Sequence, residues 1–314
     1  MSSLGLDITE PGRPYLQEVS PGVYAYVQPD GTWWINNTGF LAGPQGVISI
    51  DSCSTQRLTR SYQDAIATVT PAPVRTVVNT HHHGDHTFGN CLFPAAAIIG
   101  HEKARSEAIA FGPPRELPFW AGPDWGELML DPPFVTFTDE IALHSGELRA
   151  QVRYVGTAAH TTNDSIVWVP ERSVLFCGDL IFNGGTPFLL MGSIAGAIEV
   201  LENVILPLRA QTIVPGHGPV FSGDEPIAAT LDYLRFVASL ATRGRAAGRT
   251  PLAAATEADL GRFAEWPDSE RVAGNLHRAY AELDGAANGD PIDVVAALGD
   301  MVTYNGGAPL TCLA

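Results

Sequence analysis

Positive charge is scarce in this chain. Lysine and arginine total 18 against 34 aspartates and glutamates, for a net charge of −16. A surface that acidic repels phosphate backbones, so nucleic acid is not expected as a partner. Cysteine is scarce too. Cys53, Cys91, Cys177 and Cys312 are scattered with no CxxC pair, which argues against a disulfide framework and a thiolate zinc site. Long apolar runs are missing: none approaches the ~20 residues needed to cross a bilayer, and no membrane partner is expected. Met1 to Glu10 carries neither a basic n-region nor an apolar h-region, so no signal peptide is visible. The expectation is a cytoplasmic protein with reduced cysteines.

Histidine, by contrast, is concentrated. Thr80-His81-His82-His83-Gly84-Asp85-His86 follows the apolar run Val74 to Val78, which reads as a buried strand. Residues two apart on an extended chain project to the same side. His81 and His83 can therefore reach one point. Asp85 and His86 follow where Gly84 lets the chain turn, and can reach a second. One short loop can offer ligands to two metal ions. Three more ligand-type residues stand downstream: His160 after the strand Val152 to Val155, Asp179 after Val174 to Cys177, and His217 after Thr212 to Val214. Each closes a strand and a glycine-containing turn, and strand ends are where open α/β sheets place their chemistry.

The 314 residues are 45% hydrophobic, which suits one large domain or a domain with an appendage. Segments 22–28, 33–42 and 46–51 read as an antiparallel meander. Helices are expected over 56–68, 101–111 and 198–209, and strands over 74–79, 95–100, within 134–154 and within 165–177. The segment 112–133 is rich in Pro and Trp without a period, and a loop that long is usually functional. After Gly223 the texture becomes helical: 226–245, 251–263 and 269–283 carry apolar residues at helical spacing. The division expected is a catalytic domain over 1–222 and a helical C-terminal extension and tail over 223–314.

The motifs THHHGDH, AHTTND, CGDLIF and PGHGPV, in this order, resemble those of the metallo-β-lactamase superfamily, whose first signature is HxHxDH. The resemblance covers roughly residues 15–222. It implies an α/β (α+β) fold, the four-layer αββα sandwich, with the metal site at one edge. Carried over by position, His81, His83 and His160 would hold one metal; Asp85, His86 and His217 would hold the other; Asp179 would bridge them. Imidazole and carboxylate ligands suit two zinc ions, with iron and manganese left open. Asp179 stands where the best-known β-lactamase subclass has Cys. His83 is not replaced by Glu, unlike the di-iron flavoprotein branch. No β-CASP-like segment separates Asp179 from His217, unlike the RNA-processing nucleases. VVNTHHHGDHTFGN, DLIFNGGTPFLLMGS and the late segment EADLGRFAEWPDSERVAGNLHRAY look similar to lactamase-fold cyclase/thioesterases of aromatic polyketide pathways.

This resemblance implies a dinuclear zinc-dependent hydrolase of a carboxylic derivative, a thioester first, in which hydroxide held by the metals is the nucleophile. Coupled polyketide ring closure, lactone or β-lactam hydrolysis, and a mononuclear iron sulfur dioxygenase are the alternatives. Asp85 has two candidate roles, ligand and acceptor orienting the hydroxide. Candidate substrate contacts are Trp33, Trp34 and Asn37 in the meander, Trp120 and Trp125 in the Pro-rich loop, and Asn183, Phe188 and Met191 after Asp179. Aromatic walls suit a flat or greasy small-molecule acyl substrate. His82 faces away from its neighbours and reads as a supporting or solvent residue, His101 as structural, His144 as surface, and His277 as surface or interdomain. Oligomeric state is open, a homodimer included.

Overall fold

The computed structural model describes residues 12–29 and 31–314. A seven-stranded sheet contains β1 (Tyr15–Ser20), β2 (Val23–Val27), β3 (Thr38–Gly43), β4 (Gly46–Ile50), β5 (Val74–Val78), β6 (Ala97–His101) and β7 (Val135–Phe137) in sequence order. Its first half is an antiparallel meander; from β4 onward the pairings are parallel. A five-stranded sheet combines β8 (Glu140–Ser145), β9 (Leu148–Tyr154), β10 (Ser165–Val169), β11 (Val174–Phe176) and β12 (Thr212–Val214), ordered β12-β11-β10-β9-β8.

The pleat decides the layers. Side chains alternate across a strand, and most strands here send their two sets to different cores. Ile50, Val78 and Ile99 from the first sheet meet Val152, Val167 and Phe176 from the second in the central core. Their neighbours Val47, Val77 and Ile98 turn outward to meet α1 (Gln56–Val69). Thr55 caps that helix by accepting from Leu58 N at 3.2 Å, and Leu58, Tyr62 and Ile66 form its buried stripe. On the far side, Ile166, Leu175 and Ile213 of the second sheet are covered by α4 (Ile194–Val200), α6 (Glu225–Ala246) and α8 (Arg271–Leu283). The order is helix, sheet, sheet, helix, the sandwich anticipated from the motifs.

Several boundaries differ from the sequence reading. Trp33 to Asn37 is a loop, not strand: Trp34 has φ 68, and the Asn36 side chain bonds backbone at Asn37 and Ser52. The helix expected over 198–209 starts earlier, at Ile194, where Ser193 caps it; a π-helical turn (Leu201–Ile205) and the short α5 (Leu206–Leu208) then complete it. The helix α7 stops at Thr256 (Pro251–Thr256), followed by a tight turn Gly261–Glu265. Two elements went unread. One is β1. The other is α9 (Val294–Tyr304), capped by Asp293, which packs with α7 and α8 into one continuous apolar cluster. Among the described residues no helix is long and apolar enough to cross a membrane.

Candidate metal centre

The loops at the ends of β5, β9, β11 and β12 converge on one point. His81 and His83 do lie together, with ring centroids 4.8 Å apart. The turn after them is α2 (Gly84–Thr87), a single helical turn that brings Asp85 and His86 round. Gly84 serves close packing there: a Cβ would lie 2.4 Å from the Phe88 ring. Gly216 plays the same part beside His217, since a Cβ on it would lie 1.9 Å from Asp179 Oδ1.

Two overlapping groups result. Ligand atoms of His81, His83, His160 and Asp179 all lie within 4.8 Å of one another, and so do those of Asp85, His86, Asp179 and His217. Either group could hold a metal ion, and Asp179 belongs to both. The donor set fits a divalent cation. His160 Nε2 and His217 Nε2 stand 3.4 Å and 3.2 Å from Asp179 Oδ2, and His217 Nε2 stands 3.3 Å from Asp85 Oδ2. Ligands ~2.0–2.1 Å from one tetrahedral ion are themselves about 3.3 Å apart. Three of the converging atoms, His81 Nε2, His86 Nε2 and Asp179 Oδ1, are buried without a hydrogen-bond partner. His86 Nε2 and Asp179 Oδ1 are 3.0 Å apart but not aligned as donor and acceptor. Orphaned buried atoms of this kind call for an ion.

The opposite ring nitrogens are held from behind, and this fixes the lone pairs. Thr80 Oγ1 donates its one hydrogen to Asp51 Oδ2 at 2.8 Å. It must therefore accept from His81 Nδ1, 3.1 Å away, leaving Nε2 bare toward the centre. Asp51 Oδ2 takes His86 Nδ1 at 2.8 Å. Carbonyls of Phe188 and Gly31 take Nδ1 of His160 (2.5 Å) and of His217 (3.0 Å). His83 is reversed, with Nδ1 inward, 2.9 Å from His160 Nε2, and Nε2 beside Met191 Sδ at 3.3 Å. Such outer contacts set tautomer and ligand basicity.

Charge is shared unevenly across the cluster. Burial pushes His81 and His83 well below the ordinary imidazole range, and His160 down to about 4. Burial opposes charge on His86 and His217 as well, but the surrounding carboxylates, Asp179 foremost, raise His86 well above its usual value and His217 to about 9. Burial likewise works against ionised Asp179, yet His217, His86 and His160 pull it well below the carboxylate range. Asp85 is also lowered, by His86 and His217 against its burial. Two anions and several neutral imidazoles facing one space are suited to cations.

An apolar cavity of about 210 Å³ opens beside the cluster. Trp33, Trp120, Phe188 and Met191 line it, with Asp85, Asp179, His83 and His217 at one end. Three expected pocket residues are not in that lining. Trp125 packs edge-on against Trp34 and Phe88. Asn37 spends its side chain on Gln28 N, Pro215 O and Gly218 O, tying the meander to the His217 loop. Asn183 faces a separate hollow beside Pro29 and Gly31 and donates to Pro219 O at 2.8 Å. His82 turns away from the cluster and is held by Asn163 and Glu107. His101 Nδ1 caps α3 (Glu102–Phe111), His144 is exposed, and His277 pairs with Asp300 at 2.7 Å.

Sequence reasoning missed Asp51, Thr80 and Arg271. Asp51 ends β4 with φ 60, a left-handed conformation that takes roughly 1–2 kcal/mol to impose on an L-residue. It lies buried behind the histidines. An aspartate closing an apolar strand was the available signal. Arg271 is buried, with its guanidinium 4.0 Å from the Trp33 ring centre, paired to Asp268 at 2.7 Å. Nothing local in the sequence announces that contact.

A family model described as the metallo-beta-lactamase superfamily matches residues 31–217. A hydroxyacylglutathione hydrolase of Rhodospirillum rubrum is 30% identical over 231 residues, covering 70% of this chain and 76% of that protein. A type 2 metallo-beta-lactamase of a Bacillus species is 27% identical, over 61% of this chain and 69% of its own. A solved metallo-beta-lactamase from Pontibacter korlensis shares the fold, with a TM-score of 0.59 at 19% identity over 71% of this chain and 99% of its own.

Proposed function

Since this chain belongs to the metallo-beta-lactamase superfamily and is a metal-dependent hydrolase, we propose that it cleaves a thioester, with zinc in each of its two ligand groups. The observation that carries the zinc pair is Asp179, common to both groups. The thioester is supported by the 30% identity to a hydrolase named for hydroxyacylglutathione, itself a thioester.

Zinc at these ligands would lower the pKa of a bound water toward ~7 and polarise the scissile carbonyl. The chain's own groups do the rest. Rear contacts from Thr80, Asp51, Phe188 and Gly31 hold Nδ1 of four imidazoles, so that Nε2 of each is turned toward the centre. Asp85 lines the cavity and its side chain is 11% exposed, against 3% for Asp179. That exposure supports a role for Asp85 in accepting a hydrogen bond from the attacking water and passing its proton to the departing thiolate. Trp33, Phe188 and Trp120 give the acyl side an apolar wall. The four cysteines are unpaired, which suits action in a reducing cytoplasm.

A second reading, ring closure of a poly-β-keto thioester at the same site, draws support from those aromatic walls. Two ligand groups favour either over mononuclear iron chemistry. The test is a screen of N-acetylcysteamine thioesters, lactones and β-lactams on metal-replete protein, with elemental analysis. Thiol release and two zinc per chain are expected. Lactone or β-lactam turnover without thiol release would defeat the thioester reading; one iron per chain would defeat the zinc pair.

A further inference from the structure

We propose that the acyl group this enzyme accepts is an apolar chain or ring of about eight carbons, and that α9 sets that limit. For turnover the proposal rests on the thioester reading; for binding it stands alone. The cavity beside the ligand cluster has no serine, threonine, asparagine, glutamine, lysine or tyrosine in its lining. Its walls come from three segments distant in sequence. Leu117, Phe119 and Trp120 belong to the Pro-rich loop, Phe188 and Met191 follow Asp179, and Val294 and Leu298 come from α9. Trp33 stands between them, edge-on to both Trp120 and Phe188 at 5.3 and 5.1 Å.

Polar features of the lining are already engaged or sealed. Two cations belong to it. Arg271 lies flat on Trp33, pairs with Asp268 and donates to Thr186 O at 2.8 Å. Arg115 stacks on Phe111 and donates to its carbonyl. Arg271 Nε and the indole nitrogens of Trp34 and Trp120 lack partners, but all three atoms are closed off from solvent by their neighbours. A hydroxyl carried away from the Asp85 and Asp179 end would therefore lose its water without gaining a side-chain acceptor, which disfavours polar groups on the far part of the acyl chain.

Size follows from volume. A dry protein cavity of ~150 Å³ holds benzene; the 210 Å³ here scales to roughly eight carbons. Each methylene moved from water into such a wall improves binding about fourfold.

The wall is also held in place. Glu270 accepts the Trp33 indole N–H at 2.6 Å, and Leu310, fully buried, bonds the backbone of Phe119 and Ala121. The acyl wall is therefore fixed by residues beyond the span that matches the family model.

The test uses the full-length, metal-loaded enzyme and straight-chain N-acetylcysteamine thioesters from acetyl to dodecanoyl. kcat/KM should rise about fourfold per methylene and level off near eight carbons; a flat or falling series overturns the proposal. Binding of n-alkanols from butanol to decanol, read by titration calorimetry, needs no turnover. It should tighten over the same range, and chain-length-independent binding overturns the proposal even if no thioester is cleaved. If thioesters fail while alkanols bind as expected, the thioester reading falls and the apolar site stands. Leu298→Trp should lower the octanoyl-to-acetyl ratio of kcat/KM at least tenfold. Val294→Trp, at a half-buried position that tolerates bulk, should do the same should Leu298→Trp fail to fold. An unchanged ratio in a folded variant of either kind removes α9 from the assignment.

Discussion

Two sides of one cleft meet where Met191 Sδ touches His83 Nε2, and they are built differently. On the ligand side, charged and polar groups are buried at strand ends, and four imidazoles are held from behind by a hydroxyl, a carboxylate or a carbonyl. On the aromatic side, the contacts are ring against ring, and Arg271, which lines the cavity, is paired with Asp268. The family match ends at 217, so it contains the ligand side entire and leaves out α6 to α9. On the proposed reading the chemistry lies within that span, and selection is shared between aromatic residues of the span and α9 beyond it. Damage to the first should affect all acyl substrates alike; damage to the second should depend on the acyl group.

The largest effect should come from Asp179→Ala. It removes the carboxylate common to both ligand groups and exposes any two cations to mutual repulsion. Metal content and kcat/KM should fall together, by more than the ~10–100-fold typical of losing an outer-shell partner, and equally for acetyl and octanoyl thioesters. Loss confined to the long substrate would erase the division between the two sides.

Asp51→Ala comes next. It strands Thr80 N, Thr80 Oγ1 and His86 Nδ1 in a dry interior. Metal affinity should drop ~10–100-fold, and stability by on the order of 3 kcal/mol, measured by metal titration and by urea denaturation of the metal-free protein. Unchanged metal affinity would mean that the histidines need no rear support.

The smallest effect concerns pH. Asp164 anchors the His160 loop by accepting from Thr161 N and Oγ1, and burial raises its pKa from 3.8 to about 7. Between those values the folded state binds more protons than the unfolded one, so this group's contribution to stability declines as pH rises through the window. Asp164→Asn cannot titrate. Urea midpoints of the metal-free proteins at pH 4.5, 6 and 8 should shift progressively in favour of the variant. Parallel curves would show that Asp164 ionises freely inside the fold.

The two sides also differ in how far they could be read in advance. Each ligand motif is local: a strand, a turn and a side chain within a few residues, which is why all seven ligand candidates in the described chain were named from sequence and meet in space. Trp33, Trp120, Phe188 and Met191 were placed near the cleft from the first meander, the Pro-rich loop and the segment after Asp179, and they do line it. Asn37, Asn183 and Trp125 shared the same sequence neighbourhoods but are drawn elsewhere by backbone carbonyls and neighbouring rings. Polar and aromatic side chains satisfy whatever lies closest, and proximity along the chain does not reveal what that is.

Sequence by itself determined the side-to-side alternation along the strands, the helical texture after Gly223, and the chemical identity of the ligands. All of these depend on periodicity or on residue type. Tertiary structure alone decided which ring nitrogen faces the centre and which wall closes the cavity. His217 is oriented by the carbonyl of Gly31, 186 positions away in the chain, and a backbone carbonyl leaves no mark in the sequence. Likewise α9 lines the cavity only because α7 and α8 pack it there. Contacts of that kind are fixed by packing of the whole molecule, so their physical cause exists only once the chain has folded.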